Sequence, residues 1–271
     1  MLAFALVVAL VIALAAVQSP PRGKTTRLAV AKPESSLVIA GSTVRLTSLA
    51  GPASDRLLVR ISEELGHAAE NVRAFWGIDW PREVAVVLAA SEPQFRAQAG
   101  GGTARQWSDI AAVTVADRVD PGRRLAFGQR IVLAPGAAAM DRTALRIVLA
   151  HELFHYVTRR DTALDAPRWL TEGVADYVAR PLAAVPAATT LPTTLPSDAD
   201  LDVAGPQRSL AYDRAWLFAR FVAATYGIAS LRALYLAACG VGHADLPGAL
   251  HTVLGTDSAG AVAAWRRWLA G

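Results

Sequence analysis

The chain has 271 residues, of which 53% are hydrophobic and 18% are charged. This composition predicts a globular protein with one sizeable core or two small lobes around a cleft, and it excludes a disordered chain. The single cysteine, Cys239, excludes an internal disulfide and a cysteine-rich zinc site. The net charge of +4 is spread along the chain without a Lys/Arg block, so nucleic acid is not expected as a partner.

Residues 1–17 are apolar and carry no charged side chain, and a polar, basic stretch follows them. Their length is near the short limit for a membrane-spanning helix, and Ala13-Leu14-Ala15 has the small-x-small pattern of signal cleavage sites. We therefore predict a signal peptide or N-terminal membrane anchor at 1–17, followed by a linker at 18–35. The protein is expected to be extracytoplasmic, either secreted or anchored, with membrane contact only through residues 1–17. A buried N-terminal helix is the alternative.

The segment 36–140 is predicted to form a small mixed β-sheet lobe with one long helix. Short apolar runs around Gly41 and Ser42 indicate a β-hairpin or a pair of edge strands over 36–46. Apolar side chains at helical spacing predict a long helix over 55–77. The remaining predicted elements are a strand at 83–90, a short helix at 91–98, a flexible glycine loop at 100–102, and strands at 111–116 and 130–135.

From Asp141 onward the pattern is helical almost throughout. The predicted helices cover 141–160, 166–180, 209–227, 229–238 and 261–270. Five prolines between 181 and 210 predict a long, mobile loop over 181–208. The elements together predict an α+β fold in one domain over 36–271, with a sheet lobe at 36–140 and a helical lobe at 141–271.

One predicted helix contains the motif His151-Glu152-Leu153-Phe154-His155. The i, i+4 spacing places both imidazoles on one face of the helix, close enough to share one metal ion. Glu152 lies about 100° around the helix from His151 and can face the open position of the same ion. Because the short pattern also occurs by chance, the prediction depends on a third ligand.

Three kinds of residue are candidates for that ligand. Asp161 completes a pattern similar to that of the metzincins, although Thr158 stands where those proteins have glycine. Glu172 lies in the next predicted helix, and an antiparallel return of the chain would bring it opposite the two histidines. The isolated histidines are more typical of structural groups than of ligands; they are His67, His243 and His251.

The paired motifs HELFH and WLTEGVADY, with Glu172 17 positions after His155, carry a family resemblance. Over about 36–227 the chain is similar to the gluzincins, specifically to thermolysin-type or peptidase MA-like zinc metallopeptidase domains. The resemblance implies a gluzincin-like fold with the active-site helix between the two lobes. It also implies that His151, His155 and Glu172 bind one Zn²⁺ and that Asp176 hydrogen-bonds a ligand histidine.

Such a site hydrolyses peptide bonds of a peptide or protein substrate by a metal-activated water. Glu152 is expected to take the proton of that water and deliver it to the leaving amine. Tyr212 is the candidate donor to the oxyanion, with core packing as its alternative role. The strand at 130–135 is expected to border the cleft and to pair with an extended peptide. Since nothing here resembles the GxMEN-type motif of the family's aminopeptidases, an endopeptidase is favoured.

Two other functions remain open. The domain can be a non-catalytic zinc-binding module of the cell envelope, acting in assembly or binding, in which the metal only supports folding. The presence of Glu152 argues against this hypothesis, because a structural site has no need of a base. A coincidental motif on a scaffold without metal is the third hypothesis.

Overall fold

A computed structural model describes residues 34–107, 110–185, 191–203 and 205–271. The signal peptide or anchor predicted at 1–17 lies outside the described residues, as does the linker up to residue 33. Among the helices that are described, none has the length and apolar character needed to cross a membrane.

The protein has an α+β fold, which confirms the fold class predicted from the sequence. The strands are β1 (Glu34–Ile39), β2 (Ser42–Ser48), β3 (Glu83–Leu88), β4 (Ala112–Val115), β5 (Arg118–Asp120), β6 (Leu125–Phe127) and β7 (Arg130–Leu133). Five of them form a mixed sheet in the order β1-β2-β3-β7-β4. The outer pairs β1/β2 and β7/β4 are antiparallel, and β2, β3 and β7 run parallel. Strands β5 and β6 form a separate hairpin.

The helices follow the apolar periodicity of the sequence. They are α1 (Asp55–Trp76), α2 (Glu92–Gln98), α3 (Ala104–Trp107), α4 (Arg142–Thr158), α5 (Arg168–Ala179), α6 (Asp198–Asp202), α7 (Pro206–Tyr226), α8 (Ile228–Cys239), α9 (Leu246–Leu254) and α10 (Ser258–Ala270). The start of α4 is set by Asp141, whose side chain accepts a hydrogen bond from the backbone N–H of Ala144.

The prediction that the strand at 130–135 borders a cleft is wrong. This strand is β7, and it lies inside the sheet between β3 and β4. Its residues Ile131, Val132 and Leu133 are fully buried, as expected for a strand that is covered on both faces. The strand at the edge of the sheet, beside α4, is β4.

The span 181–208 contains more regular structure than the predicted loop. Helix α6 lies inside it, because Ser197 and Asp200 form a capping box that satisfies the first backbone N–H groups. Helix α7 also begins inside it, with Pro206 in the first turn, where proline needs no hydrogen bond. The hairpin β5-β6 and helix α9 were not among the predicted elements, since their apolar patterns are too short to show a period.

Helix α4 is central to the fold. It packs against α1 on one side, α5 on another, and the sheet through β4 and β7. Helix α5 in turn packs against α7, and Gly173 allows the two backbones to approach closely. A Cβ atom at position 173 would lie 2.4 Å from the carbonyl oxygen of Ala215. This packing places the middle of α5, which includes Glu172, deep inside the protein.

Candidate metal centre

The two histidines of the HELFH motif lie on the buried face of α4. His151 is fully buried and His155 is 6% exposed. Their Nε2 atoms are 3.1 Å apart, because the i, i+4 spacing makes the two imidazoles neighbours on the helix surface. The part of the site predicted from this spacing is therefore present in the structure.

Helix α5 brings Glu172 to the same point. Its Oε2 lies 3.2 Å from Nε2 of His151, and its Oε1 lies 3.6 Å from Nε2 of His155. The ligand atoms of the three residues all lie within 4.8 Å of one another. Among the described residues, one group of three His, Cys, Asp or Glu side chains is arranged so that it can hold a metal ion, and it is this one.

The chemistry of this group fits a bound cation. Both carboxylate oxygens of Glu172 are buried and accept no hydrogen bond from the described residues. A buried carboxylate without donors is costly unless a positive charge lies next to it. Two imidazole nitrogens and one carboxylate oxygen are also the protein ligands of many catalytic zinc sites, which keep a further position open. His151, His155 and Glu172 can thus hold a metal ion.

A series of polar contacts begins at Nδ1 of His151. Asp176 Oδ1 lies 2.9 Å from Nδ1 of His151, and Asp176 is 5% exposed. Arg180 donates from Nη2 to Asp176 Oδ2 at 2.9 Å and to Asp213 Oδ1 at 3.0 Å. A hydrogen on Nδ1, shared with Asp176, leaves the lone pair of Nε2 free for a metal. The structure therefore places Asp176 where the resemblance implied, and Arg180 and Asp213 are additions that the sequence analysis missed.

The electrostatics of the site favour a positive charge between its groups. Burial opposes protonation of His151, but the carboxylates of Asp176 and Glu172 outweigh it and raise the pKa of His151 to about 10. Burial also disfavours the charged form of Glu172, which tends to raise the pKa of this residue. His155 and His151 outweigh burial and hold the pKa of Glu172 below its ordinary value. A proton or a metal cation can supply the charge that this arrangement favours.

Glu152 lies beside the three groups and is completely buried. Its Oε2 accepts a hydrogen bond of 2.7 Å from the hydroxyl of Thr114, whereas its Oε1 has no partner among the described residues. Burial raises the pKa of Glu152 above its ordinary value. Thr114 lies on β4, 38 residues before Glu152, and no motif or spacing in the sequence connects the two.

Tyr212 lies on α7 and is 4% exposed. Burial, reinforced by the negative charge of Glu172, raises its pKa well above the ordinary value for tyrosine, so its hydroxyl keeps its hydrogen at neutral pH. The hydroxyl can therefore act only as a neutral donor or acceptor near the site.

The other candidate ligands lie elsewhere. Asp161 sits in a single turn of 3₁₀ helix and accepts a 2.6 Å hydrogen bond from Arg124. His67 is exposed and lies 3.6 Å from Glu70, and Nε2 of His243 lies 3.3 Å from Asp165. These contacts account for the side chains without a metal.

No protein-family model matches the chain, and no curated protein matches its sequence. The interpretation of the site therefore rests on its own geometry and chemistry.

Proposed function

We propose that this protein is a zinc-dependent peptidase of the gluzincin type, with a peptidase MA-like domain. The observation that supports the proposal is the convergence of His151, His155 and Glu172 on one point, with the buried Glu152 directly after His151 in α4. A structural metal site would not require Glu152, whose carboxyl group is costly to bury and has one oxygen without a partner.

Zinc is the metal that this ligand set suits best. Imidazole nitrogens with one carboxylate oxygen are typical of zinc, whereas magnesium and calcium prefer sites made of oxygen ligands. We propose one Zn²⁺ held by His151, His155 and Glu172. When bound, the ion supplies Lewis acidity towards a substrate carbonyl and lowers the pKa of a water molecule.

The side chains then have separate roles. Glu152 takes a proton from the attacking water and delivers it to the leaving amine. Asp176 holds the hydrogen on Nδ1 of His151. The Tyr212 hydroxyl, which stays protonated, donates to the oxyanion.

The proposed substrate is a peptide or protein segment in extended conformation. In the described part of the sheet β4 pairs only with β7, so its other edge is free to pair with a substrate backbone. In this proposal the free edge of β4 pairs with the substrate, a role that the sequence analysis assigned to the strand at 130–135. We favour an endopeptidase that acts outside the cytoplasm, with residues 1–17 as signal peptide or anchor.

The test is to measure zinc content and peptide hydrolysis on the full-length protein. Zinc is determined by elemental analysis, and hydrolysis with casein and a mixture of quenched fluorescent peptides. We expect one zinc per chain in the wild type. Glu152→Gln should retain the zinc and lower kcat by at least about 100-fold, because general base catalysis is worth that much.

Two histidine variants complete the test. His155→Ala should lose both zinc and hydrolysis. His243→Ala changes a histidine outside the proposed metal centre and should keep both. Zinc in the wild type without hydrolysis of any probe would instead favour the non-catalytic zinc-binding module. Absence of zinc from the wild type would refute the proposal.

A further inference from the structure

Glu152 is held by a side chain from the edge strand β4. The hydroxyl of Thr114 lies 2.7 Å from Oε2 of Glu152 and 2.8 Å from the backbone oxygen of the same residue. Thr114 is 5% exposed and Glu152 is completely buried, so water does not compete for this contact. No other hydrogen bond to the carboxyl group of Glu152 occurs within the described residues.

We propose that Thr114 is a positioning residue that holds Oε2 of Glu152 and thereby leaves Oε1 as the oxygen that exchanges the proton. The inference rests on the proposed function, because it concerns the base of that reaction. It identifies a residue that neither the motif nor its spacing indicates.

The position of the Thr114 hydroxyl is defined from two sides. Thr114 is opposite Ile131 in the β4/β7 register, so its backbone is fixed by the sheet. Its single hydroxyl hydrogen is shared between Oε2 and the backbone oxygen of Glu152, and helix α4 fixes that backbone oxygen. The side chain of Glu152 has several rotatable bonds and therefore several rotamers. A hydrogen bond from a donor whose position is fixed favours one of these rotamers.

The contact is compatible with proton transfer in both directions. A carboxylate accepts at both oxygens, and after Oε1 takes a proton from water, Oε2 remains an acceptor for the Thr114 hydroxyl. When the proton passes from Oε1 to the leaving amine, the contact with Thr114 is again unchanged. Thr114 can therefore keep Glu152 in one orientation throughout the reaction.

Three variants test this role. Thr114→Val keeps the branched shape and removes the hydroxyl, Thr114→Ser keeps the hydroxyl, and Thr158→Val is the matched control. Thr158 is the last residue of α4 and is also buried, but its hydroxyl donates to the backbone oxygen of Phe154 and not to Glu152. Kinetics on the casein and fluorescent peptide probes give kcat and KM, elemental analysis gives zinc content, and thermal unfolding gives Tm.

We expect Thr114→Val to lower kcat by about 10- to 100-fold with KM and zinc content unchanged, since a displaced base loses its alignment with the substrate. Thr114→Ser should restore kcat to within about threefold of the wild type, because it can form the same hydrogen bond. Thr158→Val should keep the wild-type kcat. A Thr114→Val protein with full kcat would overturn the inference and leave the proposed function intact.

If the wild type binds zinc but cleaves none of the probes, the proposed function fails and a double-mutant cycle tests the contact itself. Thr114→Val should then lower Tm by about 2–4 °C in the wild-type background, because Glu152 loses its donor. It should have no such effect in the Glu152→Ala background. Equal losses of Tm in both backgrounds would overturn the positioning role.

Discussion

At the scale of single residues, the site depends on charges that compensate one another. Within the part of the chain that the structure describes, no group donates a hydrogen bond to the two buried oxygens of Glu172, and Asp176 is buried between His151 and Arg180. Each of these groups would be costly to bury alone. Together they form a continuous set of contacts from the candidate metal ligands to Asp213 on α7.

Replacement of Asp176 by asparagine should weaken zinc binding by about 10- to 100-fold. The change removes the negative charge beside His151 and replaces one of the two acceptor oxygens, which serve His151 and Arg180, with an N–H donor. Competition with a chromophoric chelator measures the zinc Kd. Asp213→Asn is the control, because Asp213 shares Arg180 but does not contact a ligand, and it should change Kd much less. An unchanged Kd in Asp176→Asn would contradict the role assigned to Asp176.

At the scale of helices and strands, α4 is held on its two sides by different forces. Towards α5 lie the buried polar groups of the candidate metal centre, His151, His155 and Glu172. Near its first turn, Arg142 and Arg146 donate to the two oxygens of Glu64 on α1, at 2.8 Å and 2.6 Å. The side chain of Glu64 is fully buried, so it depends on these donors.

The contribution of Glu64 to stability should depend on pH. Hydrogen bonds from Arg146 outweigh burial and, with Arg142, lower the pKa of Glu64 below 4.5. A carboxyl group whose pKa is lower in the folded protein stabilises it above the unfolded pKa and loses this effect as pH falls through the folded pKa. We therefore expect Glu64→Gln to lower Tm at pH 7 and to differ less from the wild type as pH falls below about 4.

The exposed neighbour of Glu64 provides the control. Glu63 lies 3.0 Å from Arg142 with both side chains largely in solvent, so Glu63→Gln should change Tm little at any pH. Thermal unfolding over a pH series measures both variants. A Tm difference between Glu64→Gln and the wild type that stays constant across the series would refute the ionic role of Glu64.

At the scale of the whole molecule, the candidate metal centre lies between a helix that packs on the sheet and a helix that packs on other helices. Two ligands come from α4, which packs on the sheet, and the third comes from α5, which packs on α7. An ion bound here would connect the consecutive helices α4 and α5, and through them the sheet and α7 on which they pack. Its binding energy therefore adds to the stability of the folded state.

Zinc should raise the Tm of the metal-free protein. At free zinc about 100-fold above Kd, binding contributes about 2.7 kcal/mol, which corresponds to roughly 5–10 °C for a protein of this size. Chelator-treated protein, unfolded thermally with and without added zinc, gives the shift. The Glu172→Ala variant should show a much smaller one. An equal shift in this variant would mean that zinc stabilises the protein elsewhere.

The sequence by itself determined the features that depend on local periodicity. The spacing in HELFH predicts that His151 and His155 share a face, because a helix turns through the same angle at every residue. The apolar patterns likewise predicted the α+β class, the long helix α1 and most strands. From the residues alone Glu172 was one of several candidate third ligands, and the family resemblance selected it; the packing of α5 on α4 places it next to the histidines.

Only the tertiary structure decided which strand forms the edge of the sheet and which side chains surround Glu152 and Asp176. Strand order depends on which buried surfaces pack together, and an apolar run such as β7 does not indicate its neighbours. Thr114 contacts Glu152 at a sequence separation of 38 residues, and Arg180 contacts Asp213 at a separation of 33. Such contacts arise from the packing of whole elements, so no local pattern in the sequence indicates them.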